Sequence, residues 1–325
     1  PSPSRLGGVD RAYDGEVPQD AGETAGSGRS RVLGRVHAYF MLTKPRVIEL
    51  LLVTTVPAMV LASGGWPDLD LMAAVLFGGA LSAGGANTVN CYIDRDRDRE
   101  MNRTRERPLP AGNVDPVRAL WFGIVLEIVA FAWLWATANL LAAALAVGAM
   151  LFYVFVYSIW LKPRTAQNIV IGGAAGAVPV LVGWAAVTRD LASPAWVLFA
   201  IIFVWTPPHF WALAMRYRDD YANAGVPMLP VVAGIEETTK QILVYAVVVV
   251  AVTFVLQPVA DLGLLYLGVA AVLGAAFVWR AFELRRDASP TRAIRLFAFS
   301  NAYLALLFAA VALDVIFVSG NGTGA

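Results

Sequence analysis

Leu71-Met72-Ala73-Ala74-Val75-Leu76-Phe77-Gly78-Gly79-Ala80-Leu81 opens a run that stays apolar or small as far as Asn90-Cys91-Tyr92-Ile93. It then turns abruptly into Asp94-Arg95-Asp96-Arg97-Asp98-Arg99-Glu100. A stretch near 20 residues without charge is what crosses ~30 Å of hydrocarbon at ~1.5 Å per residue. Dense charge directly after it marks the point where a membrane helix re-enters water. The same pattern recurs along the chain, at about 44–64, 71–93, 117–136, 139–160, 167–187, 195–216, 239–257, 262–281 and 293–318. Backbone groups in hydrocarbon must be satisfied within their own segment, so each is expected to be a helix. The expected fold is an all-α integral membrane protein with nine transmembrane helices.

Composition agrees. Hydrophobic residues make up 58% and charged residues only 15%, against about 25% charged in soluble domains. Mean hydropathy is +0.63. An ordinary soluble enzyme, a disordered chain and a collagen-like repeat are excluded. The single cysteine, Cys91, excludes an intramolecular disulfide and a cysteine-rich metal site. A net charge of +1 gives no field for nucleic acid. Residues 1–36 differ: they are rich in Gly, Ser, Pro and balanced charge, and lack the apolar core of a signal peptide. They are expected to be a disordered tail, with the transmembrane domain at 37–318 and a short C-terminal tail at 319–325.

Of the 25 lysines and arginines, all but Arg189 fall on one side of the nine segments. The positive-inside rule puts that side, with the N-terminus, in the cytoplasm of a cell-membrane protein. The polar chemistry clusters there too. Asn90, Asp94 and Asp98 are spaced i, i+4, i+8, drifting only ~80° around a helix and spanning ~12 Å along it. One face then carries a carboxamide and two carboxylates, expected to be exposed to a cytoplasmic cavity. Stacked carboxylates repel unless a cation sits between them, and oxygen-only ligands suit Mg²⁺ beside a phosphate. A solvated helix end is the plain alternative for this alternation of Asp and Arg. Arg103, Arg105 and Arg107 follow at once, and a guanidinium fork matches phosphate oxygens. Arg95, Arg97 and Arg99 point off the acidic face and serve topology.

The sixth segment repeats the arrangement, ending in Arg216-Tyr217-Arg218-Asp219-Asp220. Acidic ends on the second and sixth segments imply two four-helix halves around a central cavity, with a ninth helix added. On an unbroken helix His209, Arg216 and Asp220 lie within ~20° of one line, with His209 ~16 Å deeper than Asp220.

Thr43-Lys44-Pro45-Arg46-Val47, Asn90-Cys91-Tyr92-Ile93-Asp94-Arg95-Asp96, Arg103-Thr104 through Arg107-Pro108, Trp160-Leu161-Lys162, Asn168-Ile169-Val170-Ile171-Gly172-Gly173, Thr206-Pro207-Pro208-His209-Phe210-Trp211 and Asp219-Asp220-Tyr221 through Pro230 resemble the UbiA superfamily of intramembrane prenyltransferases, and within it the heme branch. The likeness covers about residues 38–318. It implies that Mg²⁺ assists ionisation of farnesyl diphosphate, that the farnesyl group joins a vinyl of heme b, and that water captures the product cation to give heme O. It implies metal ligation by Asn90, Asp94, Asp98, Asp219 and Asp220, with Asp94, Asp98 and Asp220 catalytic. Lys44, Arg46, Arg103, Arg107, Lys162, Arg164 and Arg216 are candidates for the diphosphate. Tyr153 and Tyr157 line a dry cavity or form an interfacial belt. His209 either ligates heme iron, anchors the porphyrin, or is simply a hydrogen-bonded interior histidine. A partner that consumes heme O, such as heme A synthase, or an oxidase-assembly protein, is implied as well. Many superfamily members carry a second Asp-x-x-x-Asp, whose first position is Arg216 here.

Three other acids stand apart: Glu49 pairs with Arg46 on the first helix or lines the cavity, Glu127 is an intramembrane functional candidate or bonds between helices, and Asp314 is solvated near the outer end of the last helix. The competing functions are a prenyltransferase acting on an aromatic quinone precursor and a membrane transporter. A transporter would place its polar residues at midplane in broken helices, whereas here they cluster at one face.

Overall fold

The computed structural model describes residues 24–319, with side chains from Val32 to Val318. Among these residues the chain is helical throughout, with no strand. The elements are α1 (Thr24–Leu42), α2 (Pro45–Ser63), α3 (Leu69–Glu100), α4 (Pro116–Thr137), α5 (Leu140–Leu151, continued by a π-helix at Phe152–Leu161), α6 (Asn168–Thr188), α7 (Ser193–Arg216), the short α8 (Arg218–Asn223) and α9 (Leu229–Val232), α10 (Gly234–Val259), α11 (Leu264–Arg286) and α12 (Pro290–Asp314, ending in a π-turn). Nine of these are long and apolar enough to cross a membrane, and they coincide with the nine segments expected from the sequence.

Local chemistry explains the boundaries. Asp68 caps α3 by accepting from the Asp70 and Leu71 N–H groups, Asp115 caps α4 and Asn139 caps α5. Proline opens α2, α4, α7 and α12, where a missing N–H costs nothing. α3 runs seven residues past its apolar part, so the acidic face remains helical beyond the hydrocarbon.

The largest apolar core, around Leu198, Trp211, Tyr266, Phe277 and Phe308, joins α7 to α12 and reaches α2 and α6 through Ala58 and Val180; a second, built from Met59, Val75, Leu134, Ala143 and Val182, joins α2 to α6. The ninth span is more than an appendage, since α12 packs on both α2 and α7 and closes the ring. Helices approach closely through small residues, as membrane packing requires. A Cβ on Gly85 of α3 would lie 2.8 Å from the Gly123 carbonyl of α4, so that crossing admits only hydrogen.

Residues 1–23 of the expected tail lie outside the described residues, as do 320–325 of the short C-terminal one. From Thr24, however, the chain is helical rather than a tail. Ala38 and Leu42 pack on Cys91, Leu109 and Ala119, and a helix nucleated by that contact propagates backwards at little cost. Glu127 bonds between helices as expected, accepting from Ser82 of α3 at 3.1 Å. Asp314 is fully buried rather than solvated. Its carboxylate accepts from the Gly263 and Tyr266 N–H groups at 2.7 and 2.9 Å. The first turn of α11 has no side-chain cap of its own, and a carboxylate from another helix satisfies its orphan donors.

Candidate active site

The end of α3 is a network in which each expected ligand carries a neighbouring cation. Lys44, left-handed at φ 54° as it enters α2, donates through Nζ to Asn90 Oδ1 at 2.7 Å. Asn90 Nδ2 donates to Asp94 Oδ2 and to Ser158 Oγ, both at 2.9 Å. Lys162 Nζ pairs with the same Asp94 Oδ2, and Arg97 stands 3.7 Å from Oδ1. Arg107 binds Asp98 Oδ2 at 2.8 Å, while Thr104 Oγ1 donates to the Asp98 carbonyl. Burial pulls the Lys162 ammonium down and the Asp94 carboxylate more than restores it, so its pKa lies above the ordinary lysine value.

The two carboxylates are 2% and 4% exposed, so they are enclosed rather than open to a cytoplasmic cavity. The reason is the cation set itself: Lys162 and Arg107 come from outside α3 and close over the acidic face. Arg97, expected to serve topology alone, turns back one turn to Asp94. Arg95 and Arg99 do lie off the face, on Asp96.

The second acidic end arrives by a different path from the expected one. α7 stops at Arg216, Tyr217 breaks the line at φ −110°, ψ 28°, and Asp220 belongs to α8. The straight helical register from His209 to Asp220 is therefore absent. Asp220 is held by the loop after α3, accepting from Asn102 Nδ2 at 3.1 Å and from the Arg103 N–H at 3.2 Å. That pull across to the other half of the bundle accounts for the break. The Arg103 guanidinium sits over the Tyr217 ring. Asp219, Arg216 and Arg46 are exposed and make no side-chain bond to the network. No ion pair joins Arg46 to Glu49 among the described residues; both are exposed. Arg164 turns away to the Ile159 and Trp160 carbonyls, satisfying the end of the π-helix.

The π-helix positions three residues of the site. Its wider turn lets Ser158 Oγ donate to the Tyr153 carbonyl at 2.8 Å and still receive Asn90. Tyr153 and Tyr157 stack at 5.3 Å, and Tyr157 lies so close to Gly172 of α6 that no Cβ fits there. A cavity of about 340 Å³ adjoins this region, lined by Ile93, Asp96, Arg97, Ser158 and Ile159. Ser158 was not among the residues expected from the sequence. Its one signal there is a lone hydroxyl four residues before Lys162.

His209 lies apart from this network, at the contact of α7 with α12. It is buried between aromatic rings, Trp205 at 4.2 Å and Phe297 at 4.5 Å, and Nδ1 meets Ser300 Oγ at 2.7 Å.

Magnesium is tested by the donor set. Three oxygen-bearing side chains share one helix face, and Asp94 Oδ1 is a buried oxygen with no hydrogen-bond partner among the described residues. An enclosed carboxylate oxygen in that condition fits a hard cation.

Residues 51–311 match the model of the UbiA prenyltransferase family. The chain is 52% identical to a protoheme IX farnesyltransferase of Clavibacter michiganensis over 87% of this chain and 94% of that one. It is 53% identical to another of the same name from Mycobacteroides abscessus, over 90% and 96%. Among solved structures, a UbiA homologue of Archaeoglobus fulgidus bound to DMAPP and Mg²⁺ superimposes with a TM-score of 0.60 at 19% identity, covering 86% of this chain and 99% of that one. A digeranylgeranylglyceryl phosphate synthase structure superimposes with a TM-score of 0.72 at 18% identity, covering 87% and 99%. At such identities the superpositions speak for the fold.

Proposed function

The chain belongs to the UbiA prenyltransferase family, and we propose that it transfers the farnesyl group of farnesyl diphosphate to a vinyl group of heme b. The carbon–oxygen bond to the diphosphate breaks, a vinyl carbon takes the farnesyl carbon, and water captures the resulting cation with loss of a proton, giving heme O. The observation that carries this reading is the end of α3, where Asn90, Asp94 and Asp98 face Lys44, Lys162 and Arg107. That juxtaposition of two carboxylates and a carboxamide with basic groups suits a metal–diphosphate complex. The relatives that are half identical over nearly the whole chain supply the acceptor.

Asn90, Asp94 and Asp98 would hold Mg²⁺, with Asp219 and Asp220 from the facing α8. Bound there, the metal supplies Lewis-acid neutralisation of the departing diphosphate. The chain's own cations do the rest of the anion binding. Lys44, Lys162 and Arg107 are already oriented at the acidic face, and Arg103 stands beside Asp220. Arg46, Arg164 and Arg216 lie at the membrane–water boundary and reach the diphosphate only by turning inward. The stacked Tyr153 and Tyr157 present ring faces to an allylic cation. His209 is assigned to the porphyrin, since its surroundings are flat, aromatic and uncharged. The catalytic unit is the bundle at 37–318, and the polar end faces the cytoplasm of the cell membrane by the distribution of Lys and Arg.

The test is to incubate purified protein with heme b, farnesyl diphosphate and Mg²⁺ and to identify the product by mass spectrometry. A gain over heme b of one farnesyl group and one hydroxyl group is the expected mass increment. A prenylated aromatic acid formed from a quinone precursor, with heme unchanged, would overturn the acceptor.

A further inference from the structure

Ser300 of α12 is fully buried and has no part in the diphosphate network. It touches His209 instead, and the hydrogen bonds around it favour one tautomer of the ring. A serine hydroxyl has one proton. Ser300 Oγ places it on the Phe297 carbonyl at 2.7 Å. With that proton committed to Phe297, the 2.7 Å contact between Ser300 Oγ and His209 Nδ1 is completed by Nδ1–H donating and Oγ accepting. Ser300 is clamped a second time, because its own carbonyl accepts from Trp205 Nε1 at 2.9 Å.

The remaining surroundings of the ring are equally definite. Trp205 and Phe297 stack on it with interplanar angles of 21° and 29°. Two rings that close must lie on opposite faces. Phe210 stands edge-on at 5.1 Å. No carboxylate bonds to the ring among the described residues, so an imidazolium would have no counter-charge, and the neutral ring is the form these walls accommodate. A neutral ring protonated at Nδ1 leaves Nε2 with an in-plane lone pair. Nε2 has no hydrogen-bond partner among the described residues and is not one of the enclosed side-chain polar atoms. It forms the open edge of a residue that is otherwise 6% exposed.

We propose that Ser300 is a positioning residue for the porphyrin acceptor: it holds His209 as the Nδ1–H tautomer and so offers Nε2 to the heme iron. This rests on the reading of His209 as the porphyrin-facing group. The tautomer chooses between the two ways His209 can meet a heme. An iron needs the lone pair that Nε2 presents. A propionate is an acceptor and needs an N–H, which Nε2 lacks.

The experiment titrates the purified full chain with ferric heme and, separately, with metal-free protoporphyrin IX, following absorbance and resonance Raman spectra. Farnesyl diphosphate binding is measured on the same samples. Wild type should bind ferric heme with a histidine-ligated spectrum and bind the metal-free porphyrin more weakly. Ser300→Ala should lose about 10-fold or more in ferric heme affinity and shift the Soret band, with metal-free porphyrin and farnesyl diphosphate binding unchanged. Ser300→Thr, which keeps the acceptor oxygen, should restore both affinity and spectrum. An unchanged affinity and spectrum in Ser300→Ala would overturn the proposal. So would an equal loss for both porphyrins or a parallel loss of farnesyl diphosphate, either of which marks a packing role. If wild type binds heme but His209→Ala keeps its spectrum, the iron assignment falls while the acceptor stands. If wild type binds neither porphyrin, the acceptor reading falls and takes this proposal with it.

Discussion

At the end of α3 both carboxylates have an opposite charge against them, Lys162 and Arg97 on Asp94 and Arg107 on Asp98, while the Lys44 ammonium donates to the neutral carboxamide of Asn90. At the contact of α7 with α12, His209 is covered on both faces by rings and tied by one hydrogen bond. The first arrangement is suited to a multiply charged anion with its metal, arriving where the chain leaves the bilayer. The second is suited to a flat, mostly apolar ligand that travels within it. One enzyme that joins two such substrates needs both environments, because a charged network would desolvate poorly around a porphyrin and an aromatic slot would leave a diphosphate unpaired.

The strongest way to break this division is at Asp94 or Asp98. Asp94→Ala or Asp98→Ala should lower turnover about 100-fold or more, measured as product per enzyme at saturating Mg²⁺, while heme binding persists. Near-normal kcat in either variant would remove the metal from that face. Excess EDTA should do the same chemically: turnover falls to background, the heme Soret band stays, and added Mg²⁺ or Mn²⁺ restores activity. Full activity in the chelator would sink the ionisation mechanism.

Lys162→Met tests whether the pairing is structural as well as functional. Leaving buried Asp94 with only the longer Arg97 contact should cost about 3 kcal/mol of stability, read as a lower Tm. The double variant with Asp94→Asn should regain the Tm but not the turnover. If the single variant melts like wild type, the pair contributes nothing to folding. His209→Ala then sharpens the comparison from the other side, with an apparent KM for heme raised about 10-fold and the KM for farnesyl diphosphate little changed. A selective loss on the farnesyl diphosphate side would show that the two regions are not separate. The smallest effect belongs to Asp314, far from both. Asp314→Ala should cost about 1 kcal/mol through the lost cap on α11, with kcat and both KM values unaffected below the new Tm.

These two regions also differ in how far they could be read in advance. The acidic face was legible because its members share one helix, and a spacing of four residues converts to geometry through the helical repeat alone. Lys44, Lys162 and Arg107 were named because cations at segment ends have few places to go. Which cation meets which acid was not legible, nor that the acids would be enclosed, since both depend on how α2, the π-helix and the loop after α3 converge. Around His209 the same method failed for a physical reason. Extending one helix from His209 to Asp220 ignores Tyr217, where α7 breaks so that Asp220 can reach Asn102 and Arg103. Ser300 is 91 residues from His209 in the chain, and nothing in its own neighbourhood marks it out. Asp314 was misread in the same way: its partners are N–H groups of α11, which carry no side-chain signature.

The sequence by itself determined the nine spans, the gathering of Lys and Arg at one end of them, and the acidic face of α3, because hydropathy and helical periodicity act within a single segment. Tertiary structure alone decided the pairing of charges, the break after α7 and the contact of His209 with Ser300. Each of these is a contact between helices, and an oxygen or a proton finds its partner only when the bundle has closed.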